Sequence, residues 1–447
     1  MSTANSCAAK TSLERWIARR LQAPELPLTR ESLLEYQLAA FRETVAWSRR
    51  HSSFYARSLA PFPDGLPHSL DDVRRLPFTT PEDLAGNAHE FLCVSQDRIS
   101  RVVTFNTSGT SGASKRIFFT PEDQEFTLDF FAHGITTVAA AGDRMLIALP
   151  GEREGSVGYQ LAKGIVRAGI IPIPHGLSVD PAQTLAHMES ANATCIIGLP
   201  VEMLALATCG GALADNVLRR LRSIVLCSDH VPESLVQRLR QNSTADIFEH
   251  YGMTEMGLGG GLDCEAHMGY HLREPDLYIE IVDPETGDSL PAGTLGEVVF
   301  TTLNRTGMPL IRYRTGDISR FLPGTCGCGT ILNRLERVRD RIDGSVRLAA
   351  GGSISLAELD EALFAVPELL DFTALLHKGL PQRLEIRVYA PGVHAFDSDT
   401  KVREALDSVP DLRQSCGCGE LQVSVSQTEE PFPVTGAKRK IEVRTCR

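Results

Sequence analysis

Cys195-Ile-Ile-Gly-Leu-Pro-Val-Glu-Met-Leu-Ala-Leu-Ala-Thr208 sets a short apolar run, Cys195 to Gly198, directly ahead of a run of helical length, Val201 to Thr208. So short an apolar run, closed by Gly198 and Pro200, is too brief for a helix and reads as a buried strand. The same pairing repeats in both directions. Upstream, helical Phe126 to Ala141 precedes Arg144-Met-Leu-Ile-Ala-Leu149, helical Gly158 to Ala168 precedes Ile170-Ile-Pro-Ile173, and helical Pro181 to Ala191 precedes Cys195. Downstream, Asn216 to Leu221 precedes Ile224-Val-Leu-Cys227, and Pro232 to Gln241 precedes Asp246-Ile-Phe-Glu-His250. Strand and helix in alternation, with short apolar strands, predict an α/β fold built on doubly wound, mainly parallel sheets. Ligands on such sheets bind beyond the carboxyl ends of the strands. Ser228-Asp229 and Tyr251-Gly-Met-Thr-Glu255 both fall at such ends.

Outside this block the texture changes. Residues 12–60 read as helices, and Thr80 and Thr120 each precede Pro-Glu-Asp, the signature of a capped helix start. From about 270 to 340, Leu277-Tyr-Ile-Glu-Ile-Val282, Gly296-Glu-Val-Val-Phe-Thr-Thr302 and Leu310-Ile-Arg-Tyr313 predict a β-rich subdomain. A polar, glycine-rich stretch around Arg341 to Gly352 reads as a hinge. Beyond it lie a helix, Ser355 to Val366, strands at Leu384 to Tyr389 and Leu421 to Val425, and helical 398–408. The expected division is a large N-terminal domain, 1–340, and a small, mobile α+β C-terminal domain, 341–447.

At 447 residues, 43% hydrophobic and 23% charged, the composition is that of a globular protein of more than one domain. The net charge of −11 argues against nucleic acid or an anionic membrane as partner. No apolar run approaches transmembrane length, and the first ten residues lack a signal-peptide core. Eleven cysteines, an odd number and mostly isolated, fit reduced thiols and a cytoplasmic location. A homodimer is compatible with this composition.

The stretch Thr107-Ser-Gly-Thr-Ser-Gly-Ala-Ser-Lys115 follows the β-rich run Arg101 to Phe105. Glycines let the backbone approach a ligand, successive N–H groups and hydroxyls can wrap a polyphosphate, and Lys115 adds positive charge. Because Thr120-Pro-Glu-Asp123 opens a helix soon after, the loop is expected between a strand and a helix. Three further motifs follow in order: Tyr251-Gly-Met-Thr-Glu255, Tyr313-Arg-Thr-Gly-Asp317 and Gly436-Ala-Lys-Arg-Lys440. Together they resemble the adenylate-forming superfamily of acyl-CoA synthetases, luciferases and peptide-synthetase adenylation domains. Pro309-Leu-Ile-Arg-Tyr-Arg-Thr-Gly-Asp317 and Phe300-Thr-Thr-Leu303 are most similar to its phenylacetate–CoA ligase branch. The resemblance spans roughly residues 40–440.

That resemblance implies an enzyme joining a carboxylic acid to ATP as acyl-AMP, then passing the acyl group to CoA. It implies that Thr107, Ser108, Gly109, Thr110, Ser111, Gly112 and Lys115 hold the β- and γ-phosphates. Glu255 would hold Mg²⁺, with Thr254 near the α-phosphate. Tyr251, within His250-Tyr251-Gly252-Met253, would stack on adenine, and Ser228 and Asp229 match the adenine-side turn. Asp317 would accept hydrogen bonds from the ribose hydroxyls. Arg341 and Asp343 match the family hinge, where Asp340 stands in place of a glycine. Lys438 would neutralise charge on the α-phosphate and carboxylate, with Lys440 as alternate, although this chain has Gly-Ala-Lys where the family has Gly-Lys. The acid, expected to be aromatic and phenylacetate-like, would lie near Gly198-Leu-Pro200, Ser228 and Gly257 to Gly261, the glycines leaving room for a flat ring.

Cysteine spacing adds a metal. Cys264 and His271 lie seven residues apart, and Cys326 and Cys328 sit in a Cys-Gly-Cys-Gly run. Brought together across the β subdomain they would form a Cys₃His structural zinc site. Unligated reduced thiols are the alternative, and His267 is a competing ligand. Cys416 and Cys418, in the second such run, read as a glycine-rich turn. Two rival functions stay open: adenylation with transfer to a carrier-protein thiol or an amine, and nucleotide binding without ligase activity.

Overall fold

The computed structural model describes residues 10–21, 27–63, 67–106, 114–209, 211–338, 340–391, 398–433 and 439–445. Thr107, Ser108, Gly109, Thr110, Ser111 and Gly112, and the tail lysine Lys438, lie outside the described residues. The chain divides into two compact units. One takes residues 1–142, 153–171 and 248–337; the other takes 143–152, 172–247 and 338–447.

The second unit contains the parallel sheet that the strand–helix alternation predicts. Its strands run in the order Ser223–Leu226, Cys195–Gly198, Arg144–Ala148 and Ile171–Pro174. Register is fixed by pairs such as Met145↔Cys195 and Cys195↔Ser223. Helices Pro181–Ser190, Pro200–Cys209, Gly211–Arg220 and Glu233–Asn242 connect these strands. The residues after 340 add an antiparallel pair, Asp371–Lys378 with Gln382–Tyr389, flanked in parallel by Leu421–Thr428 and Glu442–Thr445. Their core is continuous with that of the sheet: Leu146, Ile196, Leu204 and Leu235 belong to one buried cluster with Leu363, Phe372 and Ile386. Arg238 donates to the backbone carbonyls of Phe364, Pro367 and Leu369, which ties the helix Glu233–Asn242 to the segment after Leu356–Leu363. Cys416 and Cys418 close a helix, Pro410–Gly417, where the sequence suggests only a turn.

The first unit is built on antiparallel pairing. Leu277–Val282, Gly296–Thr302 and Tyr313–Ser319 form consecutive antiparallel strands, confirming a β-rich region here. The last of them begins where the sequence has it ending. Arg312 has a φ of 49°, which β pairing does not tolerate. Its buried guanidinium meets both oxygens of Glu280 at 3.1 Å and donates to the carbonyls of Arg74 and Leu76. A second difference concerns the glycine-rich loop. Arg101–Asn106 and Ser114–Phe119 pair antiparallel, with Phe105 opposite Lys115, so a second strand separates the loop from the helix. That helix, Pro121–Gly134, starts at the expected cap: Thr120 accepts from the Asp123 N–H while the Asp123 carboxylate accepts from Thr120 N. Such a reciprocal cap stabilises a helix start by about 1 kcal/mol.

Candidate active site

In the first unit, buried and part-exposed residues alternate along Tyr313–Ser319, so Tyr313, Thr315 and Asp317 share the inner face. The other half of the site is a tight turn. The strand Asp246–Tyr251 ends in Gly252, where a Cβ would come within 1.9 Å of the Leu258 carbonyl oxygen, so only glycine fits. Met253 leads into a single 3-10 turn, Thr254–Met256, closed by Gly257 at a φ of 81°. Thr127 of the helix Pro121–Gly134 donates to the Gly257 carbonyl at 2.8 Å and holds the turn from behind.

These elements bring four sequence-predicted residues together. Lys115 forms an ion pair with Glu255 Oε1. The Tyr313 hydroxyl accepts from Lys115 Nζ at 3.2 Å and donates to Glu255 Oε1 at 3.2 Å, closing a triangle. Next to it, the Tyr251 hydroxyl donates to Asp317 Oδ2 at 2.9 Å, and Tyr251 stacks on Tyr270 with ring centroids 5.8 Å apart. Asp317 is fully buried. Tyr313 is the contact that motif reading did not assign; its place two residues before Thr315 on an alternating strand is the signal that finds it. Glu255 is buried, and an ammonium already sits against its Oε1. A buried carboxylate on a turn whose neighbours Gly252, Met253 and Thr254 are part-exposed fits a divalent cation.

Other predicted residues fall elsewhere. His250 is on the opposite face of its strand from Tyr251, beside Phe130 and Phe131, with Nε2 buried and unpartnered. Burial pushes its pKa down to about 4, so the ring is neutral at physiological pH. The space over the glycine run is not open for a ligand ring. A Cβ on Gly259 would lie 2.3 Å from the Phe130 ring, one on Gly260 2.7 Å from Met256 Sδ, and one on Gly261 3.0 Å from Tyr270. The glycines accommodate the protein's own side chains. Ser228, Asp229 and Arg341 belong to the second unit. Ser228 is exposed with a φ of 73°; Asp229 is half-buried and accepts from His230 N, and desolvation raises its pKa. Arg341 Nε donates to Asp343 at 3.1 Å. Lys440, the alternate tail lysine, is exposed.

The four predicted metal-site residues also converge, in the first unit. Cys264 follows the strand Gly261–Leu262, His271 lies on Tyr270–Leu272, and Cys326 and Cys328 occupy a turn closed by a bond from Gly329 N to the Cys326 carbonyl. All four are buried, and their ligand atoms lie within 4.8 Å of one another. The Cys264 and Cys326 sulfurs are 3.7 Å apart, too far for a disulfide, and Cys328 Sγ is 3.4 Å from His271 Nε2. Hydrogen bonds from Cys264 and His271 lower the Cys328 thiol well below the usual range, and the same contact pushes Cys264 up. His267 is not part of the cluster: its Nδ1 meets the Asp263 carboxylate at 2.8 Å.

Comparison with known proteins defines the class. Residues 78–305 match the family described as AMP-binding enzyme, and the chain belongs to that family. Over 454 residues it is 25% identical to a phenylacetate-coenzyme A ligase of Pseudomonas putida, covering 96% of each chain. It is 28% identical over 342 residues to the Aromatoleum evansii protein of the same name, covering 73% of this chain and 75% of that one. The fold is shared with a crystal structure of 2-hydroxyisobutyryl-CoA ligase in complex with 2-HIB-AMP: TM-score 0.76 at 20% identity, over all of this chain and 94% of that one.

Proposed function

We propose that the protein is an ATP-dependent, AMP-forming carboxylate–CoA ligase that works through an acyl-adenylate on an aromatic, phenylacetate-like acid. The observation that carries this reading is the convergence of Lys115, Glu255 and Tyr313 beside Tyr251 and Asp317, contributed by three motifs far apart in sequence. The names of the curated relatives support the acid and the acceptor.

Bringing a carboxylate oxygen to an anionic α-phosphate is limited by charge repulsion and by orientation. Lys115, with the hydroxyls and N–H groups of 107–112, would hold the β- and γ-phosphates. Glu255 would hold Mg²⁺, which when bound neutralises phosphate charge. Thr254 is next to it, for the α-phosphate. Asp317, buried against the Tyr251 hydroxyl, would take the ribose hydroxyls, and Tyr251, one face already covered by Tyr270, would offer the other to adenine. Lys438 would reach the α-phosphate from the tail, and residues 341–447 would move about Arg341 between adenylation and thioester formation. Cys264, His271, Cys326 and Cys328 would hold a structural zinc ion. No helix among the described residues is long and apolar enough to cross a membrane, and our reading is a cytoplasmic enzyme, compatible with a homodimer.

The test is acid-dependent exchange of labelled pyrophosphate into ATP across a panel of aryl and alkyl acids, followed by a thioester assay with CoA. The reading requires exchange with at least one arylacetic or benzoic acid and a CoA thioester as product. ATP binding without exchange for any acid overturns it.

A further inference from the structure

Arg305 belongs to none of the motifs, yet it lies behind the triangle of Lys115, Glu255 and Tyr313. It follows the strand Gly296–Thr302 in the turn Asn304-Arg305-Thr306-Gly307. That turn is docked onto the start of the helix Pro121–Gly134: Thr306 N and Gly307 N donate to the Asp123 carboxylate at 3.0 and 3.2 Å. A Cβ on Gly307 would sit 2.5 Å from Asp123 Oδ2, so the docking requires glycine there. Held this way, Arg305 is buried, with its guanidinium 4.4 Å above the Phe119 ring.

Its two terminal nitrogens point in different directions. Nη1 donates to the backbone carbonyl of Glu255 at 2.7 Å, and Nη2 to the backbone carbonyl of Phe118 at 3.2 Å. Phe118 is three residues from Lys115 on the strand Ser114–Phe119, and its N–H is held by Met308 Sδ at 3.4 Å from the same loop. One rigid, planar cation therefore spans the turn that carries Glu255 and the strand that carries Lys115. The third nitrogen, Nε, has no partner among the described residues, and Arg305 is one of the residues lining a cavity of about 20 Å³, large enough for one water. A buried charge with one donor unmet is costly to retain, and burial lowers the Arg305 pKa. A core-filling role alone would be met by leucine or methionine at lower cost.

We propose that Arg305 is a positioning residue that fixes the distance between the Glu255 carboxylate and Lys115, and so the affinity and reactivity of the bound Mg·ATP. This rests on the ligase reading above for what Glu255 and Lys115 hold. Arginine is needed because its fork presents two donors at a fixed separation; lysine can reach one carbonyl or the other, not both.

Three variants test this: Arg305→Met, Arg305→Lys and Arg305→Ala, with calorimetric titration of Mg·ATP, pyrophosphate-exchange kinetics and thermal unfolding measured together. Arg305→Met keeps the apolar stem on Phe119, and a lost charge-assisted contact predicts kcat for exchange down by about 10- to 100-fold and Mg·ATP binding weakened by roughly 10-fold. KM for the acid should stay within about twofold, because the hydrogen bonds of Arg305 go to the Glu255 and Phe118 backbone carbonyls. Arg305→Lys should recover only part of kcat. For Arg305→Ala, millimolar methylguanidinium should restore kcat several-fold while leaving wild type unchanged, a response that general loosening of the fold would not give. Wild-type kcat and Mg·ATP affinity in Arg305→Met would overturn the inference, as would a loss confined to acid KM, or Arg305→Ala without rescue. Should the methionine and alanine variants fail to fold, Arg305→Lys decides: wild-type kcat and affinity there overturn the proposal, and a matched loss of both supports it. If wild type gives no acid-dependent exchange, the ligase reading falls, and the Mg·ATP titration alone still judges Arg305.

Discussion

The cluster of Cys264, His271, Cys326 and Cys328 makes a prediction that its geometry already constrains. Zinc binds sulfur at about 2.3 Å and imidazole nitrogen at about 2.0–2.1 Å, in a tetrahedron. A regular tetrahedron with those radii places two sulfurs about 3.8 Å apart and a sulfur and a nitrogen about 3.6 Å apart. The observed separations are 3.7 Å for Cys264 to Cys326 and 3.4 Å for Cys328 to His271. Two edges therefore need almost no adjustment, and the four ligand atoms, within 4.8 Å of one another, need only close on the ion. We expect purified, freshly reduced protein to carry about one zinc per chain, and Cys328→Ser to carry less than about 0.2. Free zinc at 100 times its Kd would stabilise the folded state by about 2.7 kcal/mol. For a unit of this size that is a rise in Tm of roughly 5–11 °C. The assay is metal analysis by mass spectrometry, then thermal unfolding of the chelator-treated protein against buffered free zinc. Metal content near zero in reduced protein, together with a Tm indifferent to zinc and to Cys328→Ser, would refute the reasoning. The four residues would then be packed thiols around a buried histidine.

Other expected outcomes follow from the same geometry. Glu255→Gln and Lys115→Met should each lower acid-dependent pyrophosphate exchange by about 100-fold or more, while Tyr313→Phe, which removes one hydrogen-bonding hydroxyl, should cost roughly 5-fold; steady-state exchange rates check both. Arg312→Met leaves the Glu280 carboxylate buried without its partner and should lose about 3–5 kcal/mol in urea unfolding, whereas adding Glu280→Leu should recover most of it. Glu202 is buried with Oε2 unpartnered, and desolvation raises its pKa to about 8. The folded state therefore holds this proton more tightly than the unfolded chain does. Its contribution is fully present below about pH 4.5 and is lost as pH rises through about 8. Glu202→Gln should remove up to about 1.4 kcal/mol per pH unit of that decline, read from denaturation midpoints between pH 5 and 8.

Much of this was open to reading before any coordinates, for identifiable reasons. Short apolar strands bounded by glycine and proline, as at Cys195–Gly198, declare a buried parallel sheet because nothing else buries so few residues so completely. Motif carboxylates and the cysteine–histidine set could be named because their chemistry is local to the residue type. What stayed hidden depends on partners distant in sequence. Ser114–Phe119 is a strand because it pairs with Arg101–Asn106, and its opening Ser-Lys-Arg has no strand signature. Tyr313 begins its strand, rather than ending one, because Glu280 draws Arg312 into a buried pair. The glycines at 259–261 signal a close approach correctly, but a glycine does not say what approaches; here it is Phe130, Met256 and Tyr270. Arg305 is the extreme case, since its role lies entirely in two backbone carbonyls, Glu255 and Phe118, which carry no sequence signal.

The two best-defined motifs meet with matched spacing, and this links fold to chemistry. Tyr251 and Glu255 are four residues apart, as are Tyr313 and Asp317, and the contacts run crosswise: Tyr251 to Asp317, and Glu255 to Tyr313. The strand Tyr313–Ser319 bulges between its ends, its register against Gly296–Thr302 shifting between Arg314 and Ile318 with Gly316 at a φ of 75°, yet Tyr313, Thr315 and Asp317 stay buried together. The strand therefore carries both the end that meets Tyr251 and the end that meets Lys115 and Glu255, and keeps them on one side. On the ligase reading proposed above, a nucleotide lying along it would meet the Asp317 carboxylate at its sugar and the Glu255–Lys115 pair at its phosphates. A strand shifted by one residue would turn both ends away together, and Gly316, between them at a φ of 75°, supplies the backbone angle that the bulge requires.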